Sequence, residues 1–224
     1  MSIPSAKPEL IMENNPASLA SESYRALRFN MEAFVMDQGI QTVSLTSAGR
    51  GEGKTTTAVN AAIAYAKIEK KVLLIDGDLR NPSLHRLFGG DNSKGLSGYL
   101  MNPEIHAIDD YIMETSIRNL SVIPSGPIPN YPAELLASQA MKQLLEEMKC
   151  RFDMIFIDSS SVLSLTDAKI VAAQCDGVLL VAEHGKLKKQ AAKKVKEELE
   201  LAKARLLGVV FNKIHPKNSE LLLY

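Results

Sequence analysis

The run TSAGRGEGKTTTAVN, residues 46–60, sets Gly49, Gly51 and Gly53 ahead of Lys54 and Thr55. That spacing suits the binding of a polyphosphate. Glycines let backbone N–H groups turn inward where side chains would obstruct them. Lys54 can reach β and γ phosphates, and the Thr55 hydroxyl can ligate Mg2+. A helix opening here adds about half a positive charge at the same point. Gly49, Arg50, Gly51, Glu52, Gly53, Lys54, Thr55 and Thr56 together make the candidate nucleotide-binding stretch. The strict pattern begins with glycine; Ala48 stands there instead, a small residue that fits.

Two acidic segments follow. MIFIDS, from Met154, is an apolar run ending in Asp158, the arrangement that holds the outer shell of a nucleotide-bound metal. VLLIDGDLR, Val72 to Arg80, brings Asp76 and Asp78 to the end of a second apolar run. By themselves these two carboxylates could simply open a solvated loop. Beside a nucleotide they would repel one another unless a cation separated them. A division of labour resolves this, with one carboxylate for Mg2+ and one for the attacking hydroxyl.

The elements that must position these residues are legible in the hydrophobic pattern. Six β-like runs begin at Thr42, Lys71, Leu120, Met154, Gly177 and Leu206. Most are continuously apolar, as strands covered on both faces are. Helical patterns lie between them at Lys54–Ile68, Pro132–Met148, Thr166–Gln174 and Lys188–Ala204. Such alternation predicts an α/β fold with a doubly wound, mostly parallel sheet flanked by helices, and the phosphate-loop pattern after its first strand makes it of the P-loop NTPase kind. A further amphipathic helix runs from Ser18 with Tyr24, Leu27, Met31 and Phe34 on one stripe, and Ser21 is its expected cap. Residues 1–17 read as a flexible arm, and 18–224 as one domain with a short C-terminal tail. The stretch from Asn81 to Arg118 is the least regular, with short helical pieces around GLSGYL and IDDYIM.

Composition narrows the classes. Apolar residues make up 46% of the 224, enough for a sizeable core, and the formal net charge is zero. No global field favours nucleic acid, and none is expected as a partner. Cys150 and Cys175 lack metal-type spacing and read as free thiols of a cytosolic protein. The four histidines are scattered and read as structural or exposed. No apolar run approaches the ~20 residues that span a bilayer, and the N-terminus lacks a signal pattern. A cytosolic protein is expected, held at a membrane only through something else. The lysine-rich run from Lys186 reads as a solvated helix with i,i+4 pairing.

SAGRGEGKTT, VLLIDGDLRNP and MIFIDS together resemble the three Walker-type motifs of the bacterial tyrosine kinases, the family that regulates capsule and exopolysaccharide synthesis. ESYRALR is similar to the family's E-x-x-R-x-x-R segment, which joins subunits into a ring, and SGPIPNYPAELL to its Pro-rich loop and helix start. The likeness runs from about Ser21 to Lys213. It implies an ATP- and Mg2+-dependent protein-tyrosine kinase. Lys54 would neutralise the transferring phosphoryl, Thr55 and Asp78 would serve Mg2+, and Asp158 would support the metal and its water. Asp76 would be the base for the acceptor, Arg80 would hold the loop or the phosphates, and Asn212 would contact adenine. Glu22, Arg25 and Arg28, on composition a solvated helix face, become a subunit contact under this resemblance. It further implies a homo-oligomer, a transmembrane adaptor of the polysaccharide co-polymerase type that recruits the chain to the inner membrane face, protein-tyrosine substrates and a cognate phosphatase.

The competing class is the partition and cell-division ATPases, of the same deviant-Walker branch, or an ATP-binding regulator that signals by assembly. Partition ATPases carry a signature lysine where this chain has Gly49, and Asp-x-Asp-Pro where it has Leu79 and Arg80. Three stretches depart from the kinase pattern. The usual tyrosine-rich tail is reduced to Tyr224, the candidate phosphoacceptor. Ser159, Ser160 and Ser161 replace Thr-Pro-Pro, which predicts a looser loop after Asp158. Asn130 and Tyr131 stand where Pro and Asn are usual.

Overall fold

The structure is a computed structural model that describes residues 10–214. Seven strands form one sheet: β1 (Thr42–Ser47), β2 (Val72–Asp76), β3 (Met113–Glu114), β4 (Leu120–Ile123), β5 (Met154–Ser161), β6 (Gly177–Glu183) and β7 (Leu206–Asn212). Their spatial order is β3-β4-β2-β5-β1-β6-β7, and every pairing is parallel except that of the two-residue β3 with β4. The helices are α1 (Ile11–Asn14), α2 (Leu19–Gln38), α3 (Lys54–Ala66), α4 (Leu84–Leu87), α5 (Leu96–Met101), α6 (Pro132–Leu136), α7 (Gln139–Lys149), α8 (Thr166–Ala172) and α9 (Lys189–Leu201). A 3₁₀ turn spans Ile108–Tyr111.

β1, β2, β4 and β5 are buried along their whole lengths, which explains their continuously apolar sequences. Side chains alternate between two layers. Leu74 and Phe156 pack with Val59, Ile63 and Tyr65 of α3, backed by Tyr24 and Met31 of α2. Ile75 and Ile157 pack on the opposite face with Leu136, Leu144 and Met148 of α6 and α7. Parity therefore sends Asp76 and Asp158, two residues beyond Leu74 and Phe156, to the α3 face.

The expected doubly wound sheet is present, with local differences. Ser18, not Ser21, caps α2, accepting the Ser21 N–H at 3.1 Å. Ser21 is buried instead and donates to the Asn15 carbonyl at 2.7 Å. Part of the segment read as a free arm is packed: Met12 of α1 is 1% exposed, and its N–H donates to Asn60 Oδ1 at 2.9 Å. The helix expected over Pro132–Met148 is two helices, because Ser138 caps α7 by accepting the Met141 N–H. The lysine-rich run forms α9, with Lys193–Glu197 and Lys196–Glu200 pairs on its outer side. Among the described residues, no helix is long and apolar enough to cross a membrane.

Candidate active site

The phosphate loop joins β1 to α3, and its glycines are used as the sequence suggested. Gly53, which caps α3, sits at φ +97°, a left-handed conformation that only glycine adopts cheaply. A Cβ there would also overlap Asn212 Nδ2. The loop is braced from within and from its flank. Glu52 turns its carboxylate back to accept the Gly49 N–H at 2.6 Å, and Ser47 Oγ donates to the Gly49 carbonyl at 2.5 Å. From the end of β7, Asn212 Nδ2 donates to the Glu52 carbonyl at 3.1 Å. Lys213 Nζ reaches the Gly51 carbonyl at 2.7 Å and Glu183 Oε2 at 3.0 Å. Arg50 is exposed, while Lys54, Thr55 and Thr56 are half-buried.

The acidic segments converge below this loop. Asp76 and Asp158 are register partners at the ends of β2 and β5, 0% and 1% exposed. Asp158 Oδ2 accepts the Thr55 hydroxyl at 2.6 Å. Asp76 Oδ2 accepts the N–H groups of Ser83 and Leu84 at 2.9 and 3.0 Å. Each carboxyl keeps one buried oxygen, Oδ1, without a hydrogen-bond partner among the described residues. Burial pushes Asp76 up to about 6, an effect the Leu84 and Ser83 amides oppose and the nearby Asp78 charge reinforces. Burial pushes Asp158 up to about 8, helped by the Asp76 charge and opposed by Thr55 and Lys54. Asp78 is half-buried; its Oδ1 accepts the Asn81 N–H at 3.1 Å.

This donor set fits Mg2+. One hydroxyl, two carboxyls with spare buried oxygens and a nearby third acid are the hard oxygen ligands that such an ion would take. Among the described residues no three His, Cys, Asp or Glu side chains form a closed metal cage, and an ion shared with a nucleotide needs none.

Arg80 makes a bidentate pair with Asp167, Nε to Oδ2 at 2.7 Å and Nη2 to Oδ1 at 3.2 Å. This contact ties the segment after β2 to the first turn of α8. The serine run is not loose. β5 continues through Ser161, all three serines are buried, Ser159 Oγ donates to the Leu45 carbonyl at 3.0 Å, and Thr46 Oγ1 donates to the Ser160 carbonyl at 2.8 Å. Hydroxyl bonds to β1 replace the stiffness that prolines would supply. Lys54 Nζ donates to Ser161 Oγ at 3.4 Å. Sequence reasoning missed Asp167, Glu183 and Lys213, and read Ser161 only as part of a looser loop, because each acts through a partner distant in the chain. Only the position of Asp167 at a helix start was a signal.

Glu22, Arg25 and Arg28 lie on α2, away from this cluster. Arg25 pairs with Glu22 at 2.7 Å, and Arg28 pairs with Glu32 at 2.6 Å. Tyr224 lies outside the described residues.

A protein-family model described as an AAA domain matches residues 40–208. The tyrosine-protein kinase YwqD of Bacillus subtilis (strain 168) is 41% identical over 203 residues, covering 91% of this chain and 85% of its own. The chain belongs to the bacterial tyrosine-protein kinase family. Solved structures agree with the assignment of this kinase. The chimerical protein CapA2B2 superposes with a TM-score of 0.85 at 38% identity, over 92% of this chain and 89% of its own. The kinase domain of Escherichia coli tyrosine kinase ETK gives a TM-score of 0.86 at 29% identity, over 96% and 85%.

Proposed function

We propose that the chain transfers the γ-phosphoryl of ATP to tyrosine hydroxyls, with Asp76 as the base, in the control of capsular or extracellular polysaccharide synthesis. The observation that carries this is the paired burial of Asp76 and Asp158 beside Thr55, each with one unpartnered carboxyl oxygen. Mg2+, when bound, would supply positive charge that offsets the negative charge developing on the transferring phosphoryl. Thr55 and Asp158 would hold it, with Asp78 alongside. The loop N–H groups and Lys54 bind and neutralise the phosphates. Asp76 is anchored through Oδ2 and leaves Oδ1 for the phenolic proton. Burial brings its pKa to about 6, within the range in which a carboxylate works as a base at neutral pH. Arg80 keeps the Asp76–Asp78 loop seated on α8, and Asn212, beside Gly53, supports the adenine side.

Glu22, Arg25 and Arg28 are proposed as a subunit contact in a ring-like homo-oligomer, in which Arg25 and Arg28 would exchange their intrachain acids for a neighbour's. A transmembrane adaptor is the proposed activator and anchor, with a phosphatase as its counterpart. The test of the main reading uses γ-labelled ATP with Mg2+ and a Glu–Tyr copolymer. Label should reach tyrosine, Lys54→Met should abolish it, and Asp76→Asn should lower kcat with little change in nucleotide affinity. Release of phosphate without any transfer would instead support an ATPase.

A further inference from the structure

Six tyrosines occur in the chain, and four of the five described ones are closed to chemistry. Tyr24, Tyr65, Tyr99 and Tyr111 are between 2% and 9% exposed, and Tyr99 and Tyr111 pack edge to face. Tyr131 is different. It is 71% exposed, and its hydroxyl has no hydrogen-bond partner among the described residues. It stands between Pro129 and Pro132, just before α6, with its ring outside the packed layers.

Its place in the fold puts it at the reactive end of the sheet. β4 pairs with β2 so that Ile123 is level with Ile75, and Pro124 therefore follows where Asp76 follows on the neighbouring strand. The loop from Pro124 to Tyr131 thus leaves from the edge at which the phosphate site lies. It is also well held. Asn92 makes both of its amide bonds to Gly126, Ser97 Oγ donates to the Pro127 carbonyl at 2.7 Å, and the Tyr131 carbonyl accepts the Leu135 N–H at 3.1 Å. An exposed phenol on a fixed base is a presented group.

We propose that Tyr131 is a phosphoacceptor of this kinase, modified by a second copy of the chain; this rests on the kinase reading above. The route through a second copy follows from parity. α6 packs through Leu136 on the face of Ile75 and Ile157, whereas Asp76 directs its carboxyl to the opposite, α3 face. Pro132, next to Tyr131, is buried, so the residue does not swing around the sheet edge without breaking its helix cap. In the transfer, Tyr131 Oη of one copy attacks the γ-phosphorus of ATP bound to the other and forms the new O–P bond. The bond from that phosphorus to the β–γ bridging oxygen breaks, its electron pair leaving with ADP. The phenolic proton passes to Asp76 Oδ1 of the ATP-bearing copy and then to water.

The test mixes full-length wild-type chain with a mass-distinguishable Lys54→Met chain in Mg-ATP, with the Glu–Tyr copolymer in a parallel tube, and maps phosphotyrosine by mass spectrometry. Phosphate is expected on Tyr131 of the Lys54→Met chain. Tyr224→Phe should retain chain phosphotyrosine, and Tyr131→Phe combined with Tyr224→Phe should lose it while still labelling the copolymer. A labelled copolymer with Tyr131 unmodified overturns the proposal. Label on Tyr131 of the wild-type copy alone overturns the second-copy route. If neither copolymer nor chain is labelled even when the cytosolic tail of the adaptor is added, the kinase reading falls and takes this assignment with it.

Discussion

Asp76 and Asp158 face the same layer from neighbouring strands, level in register, and share the low-dielectric end of the sheet with Thr55 and Lys54. Two carboxylates so placed cannot both ionise cheaply without a cation.

A pH dependence follows from that pair. Their folded pKa values, about 6 and about 8, lie above the ordinary carboxylate value of roughly 4. Above pH 4 the unfolded chain has released protons that the folded chain still binds. Their contribution to stability is therefore complete below about pH 4 and is lost as pH rises through about 8. The thermal midpoint of metal-free protein should fall between pH 6 and pH 8. Mg2+ with ADP should flatten the decline, as should Asp158→Asn. A metal-free profile without slope in this window would contradict the burial argument.

Gly53→Ala should weaken ADP binding by about tenfold, since a non-glycine residue in the left-handed region costs roughly 1–2 kcal/mol. The overlap with Asn212 adds to that cost. Combining the change with Asn212→Ala should recover only part of the loss, because the backbone strain remains. Calorimetric titration of both variants separates the two contributions.

Arg80→Ala leaves Asp167, whose side chain is 4% exposed, without its partner. Arg80 is itself 40% exposed, so the loss should be about 1–2 kcal/mol, less than for a wholly buried pair. Arg80→Lys should recover part of the stability but not the forked geometry. Urea denaturation reads the first effect. A fall in kcat larger than the stability change explains would show that the loop position matters to the chemistry.

Asp176 ties the start of β1 to the rest of the sheet. It accepts from Gln41 N–H, Thr42 N–H and Thr42 Oγ1 at 3.0, 2.7 and 2.9 Å, and pairs with Lys149 at 3.0 Å. Asp176→Ala should cost about 2–3 kcal/mol, typical for hydrogen bonds to a charged group. Although burial opposes it, the Thr42 and Gln41 amides and Lys149 hold this carboxyl below its usual pKa. Its contribution is present above the ordinary carboxylate range and is lost as pH falls through the depressed folded value. The variant should lose acid-range sensitivity relative to wild type in the same urea assay.

Much of the fold was legible because its signals are local. The apolar runs at Thr42, Gly177 and Leu206 begin and end where β1, β6 and β7 do. The phosphate loop declares itself through glycine spacing, and Asp158 through the strand before it. What stayed hidden depends on partners far along the chain. Nothing near Ser159–Ser161 reveals that Thr46 and Leu45 satisfy the run, and nothing near Asp167 reveals Arg80. Residues 10–14 lack a long pattern, yet Met12, with Leu10 and Ile11 beside it, seats α1 against the core that α3 lines. The break at Ser138 rests on one capping serine, while the helical pattern on both sides of it reads as continuous.

The bracing of the phosphate loop from β7 has a mechanical consequence. β7 is one of the two edge strands of the sheet, with Val209 and Phe211 turned outward, while Asn212 and Lys213 at its end grip Glu52 and Gly51. The margin of the sheet and the cradle for the nucleotide are thus one lever. A push or pull on that outer strand is transmitted to the phosphates along a few hydrogen bonds, without disturbing the core.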